Sequence, residues 1–296
     1  MNRKTVAGEA SVRVLCSTFR ISRAAYYAAS RQGRGEPGAS AKVVRLPKPP
    51  RHVSAETLLA RIREVLERPE ARAWGVRKVW GTLRREKTLV SRKRVHALMR
   101  AHGLVLARDR EPGETPRGHV VVPEPNRRIA TDLTTVWTRR DGNVALVPTI
   151  DCGDRTAVVT VTKDQHGPAV LASLELKLVD AFGTPDNVPI GVELRTDHGP
   201  QYTGSDCRDL CDRWGLEHTY APVGRPTGNA VAERFIRTLK EELIWLQDWD
   251  SADQLREAIA AWLDVYNNRR PHQALGWLTP SEYRAAKLGA PLADAA

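Results

Sequence analysis

The spacing of hydrophobic positions is helical between residues 54 and 106. Apolar residues recur there at intervals of three and four, and Ser54 and Ser91 stand where helix N-caps are expected. The pattern predicts helices over residues 55–68, 75–86 and 92–102. Because a tight turn separates the last two helices, we interpret the region as an all-α helix-turn-helix.

From residue 128 onward, short β-like runs alternate with helices. The first three strands are expected at residues 129–137, 144–151 and 157–162, close enough in sequence for an antiparallel meander. The later strands are expected at residues 191–197 and 216–220, and the helices at 168–182, 205–214, 229–245, 251–267 and 281–287. This order predicts an α/β fold, a mixed sheet with flanking helices.

Two stretches lack a periodic apolar pattern and contain many Gly, Pro and charged residues, which is typical of linkers. They divide the chain into parts that differ in their predicted structure. We expect a short helical segment at 1–30, a linker at 31–53, a helix-turn-helix domain at 54–106, a second linker at 107–126 and an α/β core at 127–290.

The formal net charge of +11 is unevenly distributed. Residues 1–128 contain 29 Lys and Arg against 11 Asp and Glu, whereas residues 129–296 contain 17 against 24. A basic half joined to an acidic half favours a polyanion-binding module attached to a part that handles cations. Because no run of about 18 apolar residues and no secretory signal are found, we expect a cytoplasmic, nucleoid-associated protein without a membrane segment.

The last predicted helix of the helix-turn-helix has a basic outer face. Val95, Leu98 and Met99 are expected to pack inward. The predicted DNA-contacting side chains on the opposite face are Arg92, Lys93, Arg94, His96 and Arg100. Such a face is typical of a helix that enters a major groove of DNA. A small helical bundle with a solvated basic face would show the same pattern.

Three acidic residues of the second half occupy positions suited to a metal site. Asp132 lies within a predicted strand, Asp197 ends another strand before a His-Gly-Pro turn, and Glu233 lies on an amphipathic helix. Carboxylates that converge repel one another unless a cation neutralises them, and Mg²⁺ prefers oxygen ligands. The pattern therefore favours metal-dependent phosphodiester chemistry. Surface acids are the alternative, because 24 acidic residues between positions 129 and 296 make any one spacing common.

The four cysteines are Cys16, Cys152, Cys207 and Cys211. The last two are spaced i,i+4 on a predicted helix with His218 nearby, which allows a metal site. No second Cys/His pair has zinc-ligand spacing, so ordinary buried thiols in a reducing compartment are the favoured interpretation. His218 is then a structural residue at the end of a strand.

Two features near the C-terminus carry further expectations. The polar turn at residues 267–272 either contacts DNA, orders the helix that carries Glu233, or only caps a helix end, and the pattern slightly favours the last. Tryptophans expected in the core between the last helices are Trp245, Trp249, Trp262 and Trp277.

A family resemblance rests on four ordered stretches, RIATDLTTVW, LRTDHGPQYTG, TGNAVAERFIRTLKEEL and YNNRRPHQALGWLTPSEY. Together they resemble the catalytic core of insertion-sequence transposases of the IS-three type, relatives of retroviral integrases with an RNase H-like fold. The preceding WGVRKVWGTLRREKTLVSRKRVHALMRAHGL resembles that family's helix-turn-helix segment, so the resemblance covers residues 54–287.

The resemblance implies that Asp132, Asp197 and Glu233 form a metal-binding DDE triad for Mg²⁺ or Mn²⁺, with two ions. Lys240 matches the family's basic residue that contacts the terminal DNA of the element. Water would attack the phosphodiester at the element's 3′ end, and the freed 3′-hydroxyl would then attack another strand. The implied partners are the terminal repeats, target DNA and further copies of the chain, and a fusion with the product of an upstream reading frame stays open.

This chain departs from the family pattern at two positions beside the triad. His198 follows the second aspartate where many relatives have Arg or Asn, and Gly228 precedes Asn229 where many have Asp. Two alternatives to a transposase are a catalytically inactive DNA-binding remnant that occupies element ends and an RNase H-like nuclease without strand transfer. The intact triad with Lys240 argues against the first, and the basic helical half argues against the second.

Overall fold

The computed structural model describes residues 12–32, 53–106, 121–221 and 229–289. Most of the two predicted linkers therefore lies outside the described residues, and so does Gly228. The chain forms two compact units, Met1–Arg51 and His52–Ala296.

The first unit contains two described helices, α1 (Val12–Thr18) and α2 (Arg23–Gln32). Leu15 and Cys16 of α1 are buried. A short helical segment was expected from the sequence at residues 1–30.

The second unit begins with the three helices of the predicted helix-turn-helix, α3 (Ala55–Glu67), α4 (Val76–Arg85) and α5 (Arg92–Ala101). Both expected N-caps form, because the hydroxyls of Ser54 and Ser91 accept backbone N–H groups at 3.1 and 3.3 Å. The three helices enclose a common core that includes Leu58, Ile62, Val79, Leu83, Val95 and Met99.

Six strands in the described part of the chain form one mixed sheet. They are β1 (Arg128–Thr131), β2 (Thr134–Thr138), β3 (Gly142–Asp151), β4 (Ala157–Thr162), β5 (Glu193–Thr196) and β6 (Glu217–Tyr220). β3 pairs antiparallel with β4 on one side and with both β1 and β2 on the other. β1 pairs parallel with β5, and β5 with β6.

The first predicted strand differs from expectation, because β1 and β2 are two segments that pair with different parts of β3. β1 opposes residues 149–151, and β2 opposes residues 142–146. Asp132 and Leu133 lie between the two segments. The interruption falls at the first of the predicted metal-binding acids.

Helices cover both faces of the sheet. They are α6 (Gly167–Phe182), α7 (Pro200–Thr203), α8 (Ser205–Trp214), α9 (Ala230–Glu242), α10 (Ala252–Asn268) and α11 (Pro280–Leu288). Ala130 belongs to the core that α9 and α10 complete, and its neighbour Ile129 belongs to the core that α6 and α8 complete. The alternation along β1 thus separates two cores, one on each face. No helix in the described ranges is long and apolar enough to cross a membrane.

The helix-turn-helix region contacts the C-terminal part of the second unit through α4. The rings of Trp80 and Trp277 meet edge to face, with centroids 5.2 Å apart. A Cβ at Gly81 would lie 2.4 Å from the Trp277 ring, so only glycine allows this approach. Trp277 was expected between the last helices, whereas it packs against α4.

Candidate active site

The interruption between β1 and β2 places the first acid of the site. Asp132 is half-buried, and its backbone N–H still donates to the Pro148 carbonyl of β3 at 3.3 Å. Its carboxylate accepts a hydrogen bond from the Leu133 backbone N–H at 2.8 Å. The residue therefore stays attached to β3 although the regular strand ends at Thr131.

Asp132 and Asp197 lie at the same level of neighbouring parallel strands. Ala130 of β1 is in register with Arg195 of β5, and each aspartate follows two residues later. Because paired strands lie about 4.8 Å apart, the two side chains start from adjacent backbone positions. Asp197 is exposed and directly follows the last residue of β5.

The turn after Asp197 is closed by a hydrogen bond to the aspartate side chain. The Asp197 Oδ1 accepts the Gly199 backbone N–H at 2.9 Å. A Cβ at position 199 would lie 3.0 Å from that oxygen, tighter than an ordinary contact, which explains the glycine of the His-Gly-Pro sequence. The ring of His198, the first departure from the family pattern, stacks on Tyr220 with centroids 4.8 Å apart.

Helix α9 carries the third acid and the predicted basic residue. Glu233 lies in its first turn and is exposed, and Lys240 lies in its last turn and is half-buried. Their separation of seven positions corresponds to about two helical turns, so both side chains start from the same face. The opposite face buries Phe235 and Leu239 against the sheet.

Both other acids and Lys240 contribute to the electrostatic environment of Asp132. The pKa of Asp132 is raised to about 6, first because burial disfavours the charged form and then because the carboxylates of Asp197 and Glu233 are close. The Leu133 N–H and the Lys240 ammonium act in the opposite direction. Asp132 thus senses both other acids and the predicted DNA-contacting lysine.

The three carboxylates are more widely spaced than a closed ligand set. Among the described residues, the group whose ligand atoms all lie within 4.8 Å of one another is Cys207, Cys211 and His218. The carboxylates belong to three separate elements, two strand ends and a helix. The arrangement is an open cluster of acidic side chains.

Comparison with known proteins decides the family. The integrase core domain matches residues 122–226 and again residues 206–280, and the HTH-like domain matches residues 54–112. Transposase InsD for insertion element IS2A/D/F/H/I/K of Escherichia coli is 30% identical over 244 residues, which cover 79% of this chain and 80% of InsD. The chain belongs to the insertion-sequence transposases with an integrase core. It is a DDE transposase, an enzyme of the polynucleotidyl transferase class.

Solved structures of viral integrases are also similar to this transposase. The simian T-cell lymphotropic virus intasome in complex with PP2A regulatory subunit B56 gamma has a TM-score of 0.49 at 18% identity, covering 73% of this chain and 74% of that chain. The HTLV-2 integrase catalytic core domain in complex with magnesium has a TM-score of 0.41 at 16% identity, covering 54% and 97%.

Helix α5 of the transposase presents most of the predicted DNA-contacting side chains outward. Arg92, Lys93, His96 and Arg100 are exposed. Arg94 differs from the expectation. It is half-buried, and its guanidinium donates to the Val53 carbonyl at 2.6 Å.

Asn229 is a residue of the site for which the sequence pattern predicted no role. Its side-chain amide donates to the Thr131 carbonyl at 2.9 Å, immediately before Asp132. The backbone carbonyl of Asn229 accepts the backbone N–H of Glu233 at 3.1 Å. Asn229 therefore links the first and third acids of the transposase. Its position four residues before Glu233 was the available signal.

The polar turn after α10 orders the helix that carries Glu233, which the sequence pattern had placed second to simple capping. The Arg270 guanidinium donates to both carboxylate oxygens of Glu242, at 2.9 and 3.0 Å. Lys78 of α4 also pairs with Glu242. Glu242 is the last residue of α9 and its side chain is only 5% exposed, so the end of the helix is fixed from two sides.

Proposed function

We propose that Asp132, Asp197 and Glu233 are the catalytic acids of this transposase and that they hold Mg²⁺ or Mn²⁺, with two ions. The carboxylates form a hard-oxygen donor set with unbalanced negative charge, which fits such a cation. The observation that carries the proposal is the position of Asp132. It lies beside Asp197 at the ends of two adjacent strands, and its pKa is raised by burial and by the charges of Asp197 and of Glu233 on α9. When bound, the ions supply charge stabilisation for an in-line displacement at phosphorus.

The reaction that this site supports has two steps. In the first, water attacks the phosphodiester at the 3′ end of the element and releases a 3′-hydroxyl. In the second, that hydroxyl attacks a phosphodiester of the target and displaces a target 3′-oxygen. Neither step forms a bond to the protein, so the chain's own contribution is to hold the carboxylates and the DNA in place.

Two parts of the chain are proposed to hold DNA. Lys240 lies on the face of α9 that carries Glu233, where its ammonium can pair with a terminal phosphate. The exposed basic residues of α5 suit a major groove, where base contacts give sequence recognition. We infer that α5 reads the terminal repeats, that paired ends are held by at least two protomers, and that the enzyme acts at the nucleoid.

The test is cleavage and strand transfer on labelled element ends in Mg²⁺ or Mn²⁺. We expect Asp132→Asn, Asp197→Asn and Glu233→Gln each to abolish both steps. Glu241→Gln is the matched control, because Glu241 lies on the same helix but pairs with Arg237 on the exposed side. It should retain wild-type activity. Equal activity in the wild type and all three triad variants would refute the proposed mechanism.

The same assay separates the alternatives. A catalytically inactive remnant would bind element ends with neither cleavage nor transfer in the wild type. A simple nuclease would cleave without joining the product to a target. The proximity of three charged side chains, Asp197, Glu233 and Lys240, to Asp132 supports an active transposase over both.

A further inference from the structure

Cys207, Cys211 and His218 form a compact cluster outside the carboxylate site. Their ligand atoms all lie within 4.8 Å of one another. The cysteines come from one face of α8, and the histidine comes from the neighbouring strand β6. Both thiols are free and buried, and His218 is half-buried.

The hydrogen bonds of the His218 ring fix which nitrogen carries a proton. The Thr196 hydroxyl donates to the Asp197 carbonyl at 2.8 Å. The same hydroxyl oxygen lies 2.9 Å from His218 Nε2, and having donated its proton it acts there as the acceptor. Nε2 therefore carries the hydrogen, and the Nδ1 lone pair is left free on the side of Cys207.

The spacing of the three atoms is close to that of metal ligands. His218 Nδ1 lies 4.0 Å from Cys207 Sγ. Zinc–sulfur bonds of about 2.3 Å and zinc–nitrogen bonds of about 2.0 Å on a tetrahedron place S and N about 3.5 Å apart. A shift of a few tenths of an ångström in each side chain closes the difference.

Charge and burial also suit a divalent cation. Two thiolates and a neutral imidazole balance the charge of a dication, so the complex is neutral in a buried setting. The cysteines belong to the core beside Leu194 and Trp214, where an unpaired thiolate would be costly.

We propose that Cys207, Cys211 and His218 bind a divalent cation with affinity for thiolates, Zn²⁺, at a site separate from the carboxylate triad. Both thiols release their protons to solvent on binding. The three groups are the ligands found among the described residues, which leaves a tetrahedral ion one position for water or a solute. Cysteine spacing alone favours ordinary buried thiols; the proposal rests on the oriented third ligand.

The site would also stiffen the backbone beside a catalytic acid. The chain of contacts runs from His218 through the Thr196 hydroxyl to the Asp197 carbonyl. Thr196 acts here as a positioning residue, because it orients the imidazole without touching the ion. Removing its hydroxyl should weaken zinc affinity by about 10- to 100-fold, as for other outer-shell partners.

Cobalt binding to the full, chelator-stripped chain tests the site. Co²⁺ is titrated with excess Mg²⁺ present to occupy oxygen sites, and thiolate-to-cobalt charge transfer is read in the near ultraviolet. We expect one equivalent to bind and Zn²⁺ to displace it one for one. Zn²⁺ should also raise the Tm of the stripped protein.

The variants give the contrast. Cys207→Ser, Cys211→Ser and His218→Asn should each weaken or lose the band, and Thr196→Val should shift the titration to higher cobalt. Cys152→Ser is the matched control, since Cys152 is a buried thiol outside the cluster, and Asp197→Asn should also retain the band. Circular dichroism checks that each variant is folded. A folded wild type without a charge-transfer band, or a folded Cys207→Ser, Cys211→Ser double variant with an unchanged band, would overturn the proposal and leave only a hydrogen-bonded trio.

Discussion

Asn229 donates its side-chain amide to the carbonyl of Thr131 at 2.9 Å and so joins the start of α9 to the end of β1. The other side-chain atom, Oδ1, is buried and has no hydrogen-bond partner among the described residues. The amide makes no N-cap hydrogen bond to α9 either. Among the described residues, the side chain thus makes one hydrogen bond, which joins the backbones that carry Asp132 and Glu233.

We predict that Asn229→Ala lowers strand transfer about 10- to 100-fold, because small displacements of reacting groups are costly. Unfolding free energy should change by less than about 1 kcal/mol, since the lost hydrogen bond is offset by removal of the unpaired buried oxygen. Single-turnover assays and chemical denaturation measure the two effects. Thr238→Ala is the control, because it removes a side-chain hydrogen bond to the Arg234 carbonyl within α9. If both variants lose activity equally, Asn229 has no special positioning role.

Asp132→Asn should stabilise the metal-free protein at neutral pH. The pKa of Asp132 is about 6 against an ordinary value of 3.8, so the folded state binds this proton more tightly than the unfolded state. The resulting stability is complete below about pH 4 and is lost as pH rises through 6. Removing the charge should therefore add about 1–3 kcal/mol at pH 7.5 and nothing at low pH.

Denaturation in chelator across this pH range measures the effect. Asp141→Asn is the opposite control, because the pKa of Asp141 is lowered by a hydrogen bond from Lys163 and then by the Ala252 backbone N–H. That variant should lose stability above its ordinary pKa. Added Mg²⁺ should stabilise the wild type and not Asp132→Asn. A destabilised Asp132→Asn protein at pH 7.5 would show that the carboxylate is not under electrostatic strain.

The sequence predicted the mixed sheet and its flanking helices, for physical reasons that differ by element. Residues 205–214 were predicted as a helix with the observed bounds of α8, because apolar spacing and the following glycine are local signals. The break at Asp132 was not predicted, because the apolar alternation continues through it and only pairing with β3 reveals it.

Long-range ion pairs were also hidden from the sequence. Glu242 and Lys78 are separated by 164 positions, and nothing in local spacing connects them. Arg94 looked like another outward basic residue, because its bond to the Val53 carbonyl depends on how the chain enters α3. Trp245 was expected in the core and is 66% exposed, since α9 ends before it.

Arg270→Ala should destabilise the protein by about 3–5 kcal/mol, because it leaves the buried Glu242 carboxylate short of its bidentate partner. Although burial alone would raise it, the pKa of Glu242 is lowered by the charges of Arg270 and Lys78. The stability from this pair is present above the ordinary glutamate pKa and lost as pH falls through the lowered value. Urea denaturation at neutral and acid pH measures both effects.

The neighbouring residue supplies the control for that prediction. Glu241 pairs with Arg237 at 2.8 Å on the exposed face of α9. Glu241→Ala should therefore cost no more than about 0.5 kcal/mol. The triple variant Lys78→Leu, Glu242→Leu, Arg270→Leu should be less destabilised than Arg270→Ala, because every charged member of this ion-pair cluster is removed. A cost for Arg270→Ala as small as that for Glu241→Ala would contradict a buried ion pair.

Gly81→Ala should destabilise the contact between α4 and the C-terminal region. Alanine favours a helix over glycine by about 1 kcal/mol, but its Cβ would overlap the Trp277 ring. Overpacking of this kind costs about 1–3 kcal/mol, so the net change is a loss. In a Trp277→Ala background the same substitution should be neutral or stabilising. Thermal unfolding of the four proteins gives the coupling, and identical effects in both backgrounds would exclude the clash.

The contrast between Lys93 and Arg94 tests whether α5 binds DNA through its outer face. Lys93 is exposed, whereas the Arg94 guanidinium is held by the Val53 carbonyl. A side chain that neutralises one phosphate contributes about 0.9 to the slope of log K against log salt concentration. Lys93→Ala should lower that slope by this amount on an element-end duplex, and Arg94→Ala should leave it unchanged. Arg94→Ala should instead reduce thermal stability, because it frees the carbonyl before α3. Fluorescence anisotropy over a range of salt concentrations measures the slopes, and a larger decrease for Arg94→Ala than for Lys93→Ala would place the DNA on a different face of the helix.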